Sequence, residues 1–309
     1  MIQITLLGVS ALLPLPERAE TAALLQCGGH SILFDCGEGT QTAARKAGVS
    51  LMKTDIIALT HYHGDHIFGL PGLLQTIHMM GRREPLILIG PGDMAQELAH
   101  LLALAGRLPF EIKLISLPEE GLALNTLSGG WPEGARLTPF ATAHRVLSQG
   151  YVFDLPRAGK FLPEKARVLG IPPRQWGRFQ KGEMIALHDR VILPQQVMGP
   201  PRRGLKVVFS GDTAACPALE EAARGADLLL CEATYGENDQ DRLAAEHGHM
   251  NFAQAGKIAR DAAVRRLWLM HFSQMIEDPL ACLPNAQAFF PAAECGWDGK
   301  SITLPFDPD

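Results

Sequence analysis

Residues 60–66 read THYHGDH, and this short stretch decides which fold the sequence predicts. It holds three of the 11 histidines in the 309-residue chain, together with one aspartate. It directly follows DIIALT at residues 55–60, an apolar run that is typical of a buried strand. A cluster of ligand-type side chains at a strand end is much less common than a single stray histidine, so we interpret it as a metal site.

The spacing within this stretch suits two metal ions. His61 and His63 are two positions apart, so at the end of an extended strand both imidazoles can reach one ion. Gly64 then allows a turn, after which Asp65 and His66 begin the next helix and can face a second ion. Neutral imidazole with carboxylate favours Zn²⁺, with Mn²⁺ or Fe²⁺ as alternatives.

Three further candidate ligands each follow a strand-like run. His144 follows LTPFATA, Asp212 lies in FSGDT after LKVVF, and His271 follows RLWLM. Taken singly, the aspartate could cap a helix and either histidine could be a surface residue at a strand end. Together they would complete the coordination from separate strand ends, where sites on layered α/β folds converge.

Strand-like and helical patterns alternate on both sides of the midpoint, which predicts a layered α/β fold with helices outside the sheets. A doubly wound nucleotide-binding fold is the alternative, but no GxGxxG or P-loop motif follows a strand. The strand-like runs are at 2–7, 22–26, 31–34, 55–60, 86–89, 205–210, 227–232 and 266–270, and the helical patterns are at 66–80, 94–105, 215–224 and 252–263.

Composition restricts the partners. With 47% apolar residues and a net charge of −5, the chain is an ordinary globular protein without overall attraction for nucleic acid. An anionic partner would therefore be held by a local basic patch or by metal ions. The six cysteines form no CxxC pair, and there is no signal peptide or apolar run of membrane-spanning length. We therefore expect reduced thiols in a cytoplasmic protein with no membrane partner.

One segment, residues 157–181, is basic, aromatic and rich in proline and glycine. It contains seven lysines or arginines and one glutamate, with Phe161, Trp176 and Phe179 interleaved. Such a surface can meet phosphates with charge and stack on bases, although a plain solvated insertion is the alternative. The candidate RNA contacts are Lys160, Arg174, Trp176, Arg178 and Lys181.

Several blocks of the chain resemble, in order, those of the ribonuclease Z family within the metallo-β-lactamase superfamily. The HxHxDH motif marks the superfamily, whereas IFGLPGLL and HRV-x-S-x-GY are more specific to the family. The blocks are FDCGEGTQ (34–41), HGDHIFGLPGLL (63–74), HRVLSQGY (144–151), GPPRRG (199–204), FSGDT (209–213) and EATY (232–235).

The resemblance implies an α/β metallo-β-lactamase fold, an αββα sandwich of two mixed β-sheets with outer helices. It implies one domain over residues 1–309 with a protruding basic arm at about 152–200 that grips tRNA. It also implies an endoribonuclease that removes the 3′ trailer of precursor tRNA. The family usually works as a homodimer, in which the arm of one subunit serves the active site of the other.

The resemblance also implies roles for individual residues around two zinc ions per subunit. Asp65 would be the general base, His249 the proton donor to the leaving 3′ oxygen, and Glu232 the residue that orients His249. A surface residue at a helix start is the alternative for His249, since AEHGHMN reads as a polar loop before the pattern at 252–263. The implied ligands are His61, His63 and His144 for one ion, Asp65, His66 and His271 for the other, and Asp212 as the bridge.

The chain departs from the family pattern in three places. The PxKxRN loop reads PLPERA at residues 14–19, so proline and alanine replace lysine and asparagine, and discrimination against CCA-ended tRNA is not predicted. The HST motif reads HMN and HEAT reads CEAT, and the arm has IPPRQWGRF where a Gly-Pro turn is common. Two alternatives therefore stay open: a paralogue that hydrolyses another phosphodiester or ester, and a metal- or RNA-binding protein without turnover.

Overall fold

Two seven-stranded mixed β-sheets form the body of the protein, in a computed structural model that describes residues 1–180, 182–187 and 190–308. The strands are β1 Ile2–Gly8, β2 Ala22–Cys27, β3 His30–Phe34, β4 Ile56–Ala58, β5 Leu86–Ile89, β6 Ile112–Ile115, β7 Leu122–Ala123, β8 Arg136–Ala141, β9 Gln149–Arg157, β10 Ile185–Leu187, β11 Arg190–Ile192, β12 Arg202–Phe209, β13 Leu228–Glu232, β14 Leu267–Met270, β15 Ala293–Cys295 and β16 Ser301–Leu304. The α-helices are α1 Thr40–Lys46, α2 Gly64–Ile67, α3 Leu70–Met79, α4 Met94–Glu97, α5 Ala99–Leu104, α6 Pro163–Val168, α7 Trp176–Gln180, α8 Pro217–Ala223, α9 Asp241–His247, α10 Phe252–Asp261 and α11 Pro279–Gln287.

Each sheet has a parallel half. The first sheet has the order β16-β1-β2-β3-β4-β5-β6 and is parallel from β3 to β6. The second has the order β15-β14-β13-β12-β9-β8-β7 and is parallel from β12 to β15. Side chains that point inward from both sheets form one core, as Ile56 and Ala58 do, whereas Ile57 packs outward with helices α1 and α3. The predicted sandwich of two mixed sheets with outer helices is confirmed.

Several element boundaries differ from the predicted ones. The strand predicted at 55–60 ends at Ala58, because the amide of Thr60 turns to the carboxylate of Asp35 at 2.7 Å. The helical pattern at 66–80 splits into α2 and α3 at Gly69, where an added Cβ would meet the carbonyl oxygen of Gly37 at 2.1 Å. The polar loop predicted before His249 is wrong, since helix α9 lies there. The pattern at 94–105 likewise divides into α4 and α5.

Between β9 and β12 the chain forms a separate hydrophobic cluster around α6, α7 and the β10–β11 hairpin. Phe179 lies within this cluster and is only 1% exposed, and Phe161 and Trp176 pack against the cluster. Stacking of Phe179 on a nucleobase, which the sequence suggested, is therefore wrong: the aromatic side chains build this cluster. That the segment is an RNA-binding arm on a single domain stays a prediction. Among the described residues, no helix has the length and apolar character needed to cross a membrane.

Candidate metal centre and active site

All seven predicted metal ligands lie together at the carboxyl-terminal ends of strands from both sheets. His61 and His63 follow β4, Asp65 and His66 begin α2, and the other three follow β8, β12 and β14. Their ligating atoms make up two of the three groups in the described residues whose atoms all lie within 4.8 Å of one another, and the third joins Asp212 and His271 to His249. The first group is His61, His63, His144 and Asp212, and the second is Asp65, His66 and His271.

The distances within the groups fit tetrahedral coordination. Ligand atoms at 2.0–2.1 Å from a tetrahedral zinc ion lie about 3.3–3.4 Å from one another. In the first group, His63 Nδ1 lies 3.0 Å from His61 Nε2 and 3.4 Å from His144 Nε2. In the second, His271 Nε2 lies 3.4 Å from Asp65 Oδ2 and 3.3 Å from His66 Nε2. Five imidazoles therefore turn ring nitrogens toward two shared points.

Asp212 lies between the two groups. Its Oδ2 is 3.6 Å from His61 Nε2 and 3.3 Å from His66 Nε2, while its Oδ1 is 3.3 Å from His271 Nε2. The carboxylate is buried, and Oδ1 accepts no hydrogen bond from the described part of the chain. A buried carboxylate oxygen of this kind is costly unless a cation binds it, so the donor set fits a pair of metal ions.

A second layer of acceptors fixes the orientation of the ligands. His66 Nδ1 donates to Asp35 Oδ2 at 2.7 Å, His271 Nδ1 to Thr234 Oγ1 at 2.8 Å, and His144 Nδ1 to the carbonyl of Gly248 at 2.8 Å. Each bond selects the tautomer whose Nε2 is free to bind a metal. Sequence reasoning missed the role of Asp35, although the signal was present: a carboxylate directly after the buried strand β3.

The electrostatics of the site favour a cation at its centre. Burial lowers the pKa of His61, and His66 adds to this, so His61 is neutral as a ligand must be. Burial also disfavours charge on His66, yet Asp212, Asp35 and Asp65 outweigh it and raise its pKa well above the usual value. Burial opposes ionisation of Asp212 too, but the facing histidines hold its pKa well below the usual range. The buried carboxylates thus draw positive charge to this point.

His249 and Glu232 form a pair beside the ligands. The His249 Nδ1 donates to Glu232 Oε1 at 2.8 Å, and the carboxylate, 1% exposed, also accepts from the amide of Thr213 at 2.7 Å. The His249 ring lies 5.0 Å from that of His144, between centroids. Burial lowers the pKa of His249, but Glu232 more than offsets it, and the pKa is raised to about 9. His249 thus retains a proton at neutral pH.

Two departures from the family motifs contact each other. Met250, in the place of the motif serine, lies with its sulfur 3.7 Å from that of Cys231, which replaces the histidine of HEAT. Asn251 caps α10: its side chain accepts from the amide of Gln254 at 2.9 Å, and Gln254 Oε1 accepts from the amide of Asn251. The altered motif therefore keeps the helix cap and leaves the His249–Glu232 bond intact.

The loop with the altered residues 14–19 packs against the site. The amide of Leu12 donates to Asp65 Oδ2 at 2.8 Å, and Leu12 holds a φ of 65°. Asp35 and His271 also have positive φ, so three of the four such non-glycine residues in the described chain lie at the site, as expected of a functional centre. Arg18 of the loop turns inward, with Nη2 donating to the carbonyl of Ile276 at 2.8 Å.

The ligands open into a cleft of about 780 Å³. Beyond the metal groups its wall carries Phe68, Arg145, Tyr235, His247 and His249. This cleft is large enough to receive a nucleotide and its neighbours, and most of the predicted metal ligands line it.

The predicted RNA contacts that fall within the described residues lie on the arm rather than in this cleft. Arg174 is exposed, and Arg178 pairs with Glu183 at 2.7 Å. The Trp176 Nε1 donates to the carbonyl of Ile171 at 3.0 Å. Lys160 is exposed and precedes the arm cluster, whereas Lys181 lies outside the described residues.

Two family models match parts of the chain. The model for the anti-Pycsar protein Apyc1 matches residues 2–109, and that for a beta-lactamase superfamily domain matches residues 197–272. The two matches fall on different sheets, each of which contributes ligands to the site.

Full-length relatives are more specific. A protein named ribonuclease Z from Lachnoclostridium phytofermentans is 40% identical over 309 residues, covering 99% of each chain. Another of that name, from Agathobacter rectalis, is 40% identical over the whole of both chains. The crystal structure of human tRNase Z, short form, superposes with a TM-score of 0.68 at 26% identity, covering 98% of this chain and 100% of the human one. The chain therefore belongs to the ribonuclease Z family, with the metallo-β-lactamase fold.

Proposed function

We propose that the protein is a metal-dependent endoribonuclease that hydrolyses one phosphodiester to remove the 3′ trailer of precursor tRNA. The observation that carries this proposal is the His249–Glu232 pair beside two complete ligand groups, in a chain 40% identical to proteins named ribonuclease Z. A protein that only binds metal or RNA has no need of a buried carboxylate that holds a histidine protonated.

We propose two Zn²⁺ per subunit, with Mn²⁺ or Fe²⁺ as substitutes. His61, His63 and His144 would hold one ion, and Asp65, His66 and His271 the other, with Asp212 between them. When bound, such ions offset the charge of the phosphate and make water a better nucleophile near neutral pH.

The chain's own residues would move the protons. Asp65 is the base that accepts the proton of the attacking water, since its carboxylate faces the cleft at the edge of the second group. His249 donates a proton from Nε2 to the leaving 3′ oxygen, because Nδ1 is occupied by Glu232. Glu232 fixes the ring and keeps the proton on it. Donor and base thus line the same cleft, as attack by water and departure of the 3′ oxygen require.

The arm and a second subunit complete the proposal. The exposed cations of the arm, such as Arg174, would bind the body of the tRNA through its phosphates. As the family resemblance implies, we propose a homodimer in which each arm serves the partner's site. The six cysteines are free thiols, which agrees with a cytoplasmic setting.

A second candidate is hydrolysis of a different phosphodiester at the same site. One observation favours it: the loop at 14–19 lacks the lysine and asparagine of the family. In that case the cleft would act on a small ester without help from the arm.

Cleavage of precursor tRNA by purified, metal-loaded protein tests the proposal. We expect a single cut at the 3′ end of the tRNA body, its loss in Asp65→Ala, and full activity in His100→Gln, whose side chain is exposed on α5. A small chromogenic phosphodiester is assayed in parallel. Hydrolysis of the small ester alone would favour the second candidate, and failure on both with metal present would favour a binding protein.

A further inference from the structure

The wall of the cleft next to His249 carries a polar pair that the mechanism above does not use. The hydroxyl of Tyr235 lies 2.5 Å from His247 Nδ1, and both residues line the same cleft as the metal ligands. The Tyr235 ring centroid is 6.1 Å from that of His247 and 6.4 Å from that of His249. The pair therefore adjoins the proton donor within the cleft.

The backbone holds this pair and the proton donor as one unit. The amide of Tyr235 donates to the carbonyl of Met250 at 3.2 Å, and the amide of Phe252 donates to the carbonyl of Tyr235 at 3.1 Å. Tyr235 follows Glu232 by three residues, and the amide of His249 is bound to the carbonyl of Ala244 in α9, at 2.8 Å. A side chain held rigidly in this way can bind a substrate atom near the leaving oxygen selectively.

The chemistry of the substrate decides what lies there. His249 protonates the 3′ oxygen of the last tRNA nucleotide, and in a ribose the neighbouring carbon carries the 2′-hydroxyl. That hydroxyl must therefore lie within a few ångströms of His249, on the tRNA side of the cut. It both donates and accepts hydrogen bonds, and it is the group that distinguishes RNA from DNA.

We propose that Tyr235, oriented by His247, binds the 2′-hydroxyl of the nucleotide that precedes the cut. A phenol can donate one hydrogen bond and accept two, so the contact with His247 leaves capacity for a second partner. Burial, with Glu232, raises the pKa of Tyr235, so the phenol stays neutral. It can donate to the 2′-hydroxyl when His247 Nδ1 carries a proton, and it can accept from the 2′-hydroxyl when its own proton is given to His247. Tyr235 and His247 are recognition residues for RNA at the cleavage position, and this inference rests on the proposed function.

The test is a double-mutant cycle in which one change removes the Tyr235 hydroxyl from the enzyme and the other removes the 2′-hydroxyl from the substrate. The substrates are a precursor tRNA and the same RNA with a single 2′-deoxy nucleotide before the cut. The enzymes are wild type and Tyr235→Phe, which removes only the hydroxyl. We expect the deoxy substitution to lower kcat/KM of the wild type about tenfold, as one lost hydrogen bond would. Tyr235→Phe should lose about as much on RNA and nothing more on the deoxy substrate.

Three controls separate recognition from damage. A deoxy nucleotide one position further upstream should have no effect, and His100→Gln should behave as wild type. Metal content and thermal unfolding report whether Tyr235→Phe is folded. If Tyr235→Phe is not folded, His247→Gln is used in its place. His247→Gln should lower kcat/KM on RNA by a smaller factor and should have no further effect on the deoxy substrate.

Each outcome decides between the two proposals. The inference is overturned, while the proposed function stands, if wild type cuts both substrates equally. It is also overturned if Tyr235→Phe lowers kcat/KM on the deoxy substrate by the same factor as on RNA. If wild type cuts no precursor tRNA, the proposed function fails and takes this inference with it.

Discussion

Asp35 shows how one residue away from the reaction can control the metal site. It is fully buried, with a φ of 54°, and accepts hydrogen bonds from His66 Nδ1 at 2.7 Å and from the amide of Thr60 at 2.7 Å. It therefore orients a ligand and anchors the backbone that carries the HxHxDH motif. An amide at this position could accept a bond from His66 but could not supply the negative charge.

We predict that Asp35→Asn weakens metal binding about 10- to 100-fold, as is usual when a carboxylate behind a ligating histidine is neutralised. Competition with a chelator of known affinity measures the change. Asp55→Asn is the matched control, because Asp55 bonds His30 outside the site, at 3.1 Å. Equal metal affinity in Asp35→Asn and wild type would contradict the role assigned to Asp35.

His249 predicts a specific pH dependence. Against the effect of burial, Glu232 raises its pKa to about 9, so the protonated form required of a donor is present below that value and is lost above it. Bound cations would lower this pKa, so the quantity to compare is the difference between two enzymes. In Glu232→Gln, burial acts without the opposing carboxylate, and the alkaline limb of kcat should move to lower pH.

Profiles of kcat against pH for both enzymes check this prediction. His249→Ala provides the reference: turnover should fall about 10²- to 10⁴-fold with metal content unchanged, and the alkaline limb should vanish. An unshifted limb in Glu232→Gln would assign the titration to another group.

At the scale of elements, the arm is built independently of the body. Its own cluster contains Phe179, Ile185 and Ile192, and its two ends meet where the amide of Gly199 donates to the carbonyl of Lys160 at 2.7 Å. Because these ends are adjacent, residues 161–198 can be replaced by two glycines without opening the sandwich.

We predict that this excision raises KM for precursor tRNA at least about tenfold, since the phosphate contacts of the arm are lost. Hydrolysis of a small phosphodiester should stay within about twofold of wild type, because the metal groups lie on other elements. Parallel assays of both substrates measure the ratio. An equal loss on both would show that the arm supports the active site itself.

Sequence patterns predicted the strands with buried cores well, because apolar runs such as LILI at Leu86–Ile89 coincide with the strand. They failed where long-range contacts decide: Thr60 leaves its strand for Asp35, and Gly69 interrupts a helical pattern because the backbone of Gly37 approaches it. Helix α9 was missed since DRLAAEH offers only one buried residue, Ala244.

The site was more predictable than the elements around it. Ligands for metal have recognisable chemistry and follow strand ends, so His144, Asp212 and His271 could be proposed without knowing the packing. Residues that act through hydrogen bonds to the ligands are harder to predict: Thr234 carries no distinctive local pattern, and the position of Asp35 after strand β3 does not reveal which residue it binds. Their partners are distant in sequence and become evident only in three dimensions.

For the whole molecule, the proposed homodimer makes a sharp prediction about which subunit's arm serves which site. Under this scheme Asp65→Ala subunits are inactive on precursor tRNA, and subunits without the arm are nearly inactive when the substrate is well below their raised KM. In a mixed dimer, the arm of the Asp65→Ala subunit serves the intact site of its partner. Mixing and reassembly should therefore restore activity to about a quarter of wild type, since half of the dimers are mixed and each has one working site.

The control is the same mixture with Arg242→Ala introduced in both chains, because Arg242 is exposed on α9, which is not an element of the arm. Its restored activity should match that of the parent mixture. No restoration would place each arm on its own active site, and sedimentation would then show whether the protein dimerises at all.

Both sheets contribute to the predicted metal site: His61 and His66 follow strand β4 of one sheet, whereas Asp212 and His271 follow strands of the other. Metal bound there would link the two sheets, so its binding free energy would add to the free energy of unfolding. The gain is about 2.7 kcal/mol when the free metal concentration is a hundred times its Kd. We expect a chelator to lower Tm by several degrees, less in Asp35→Asn, whereas an unchanged Tm would contradict this coupling. If the proposed Zn²⁺ ions are the metals bound, zinc starvation should shorten the lifetime of the protein in the cell, because chains without metal unfold more often and are degraded.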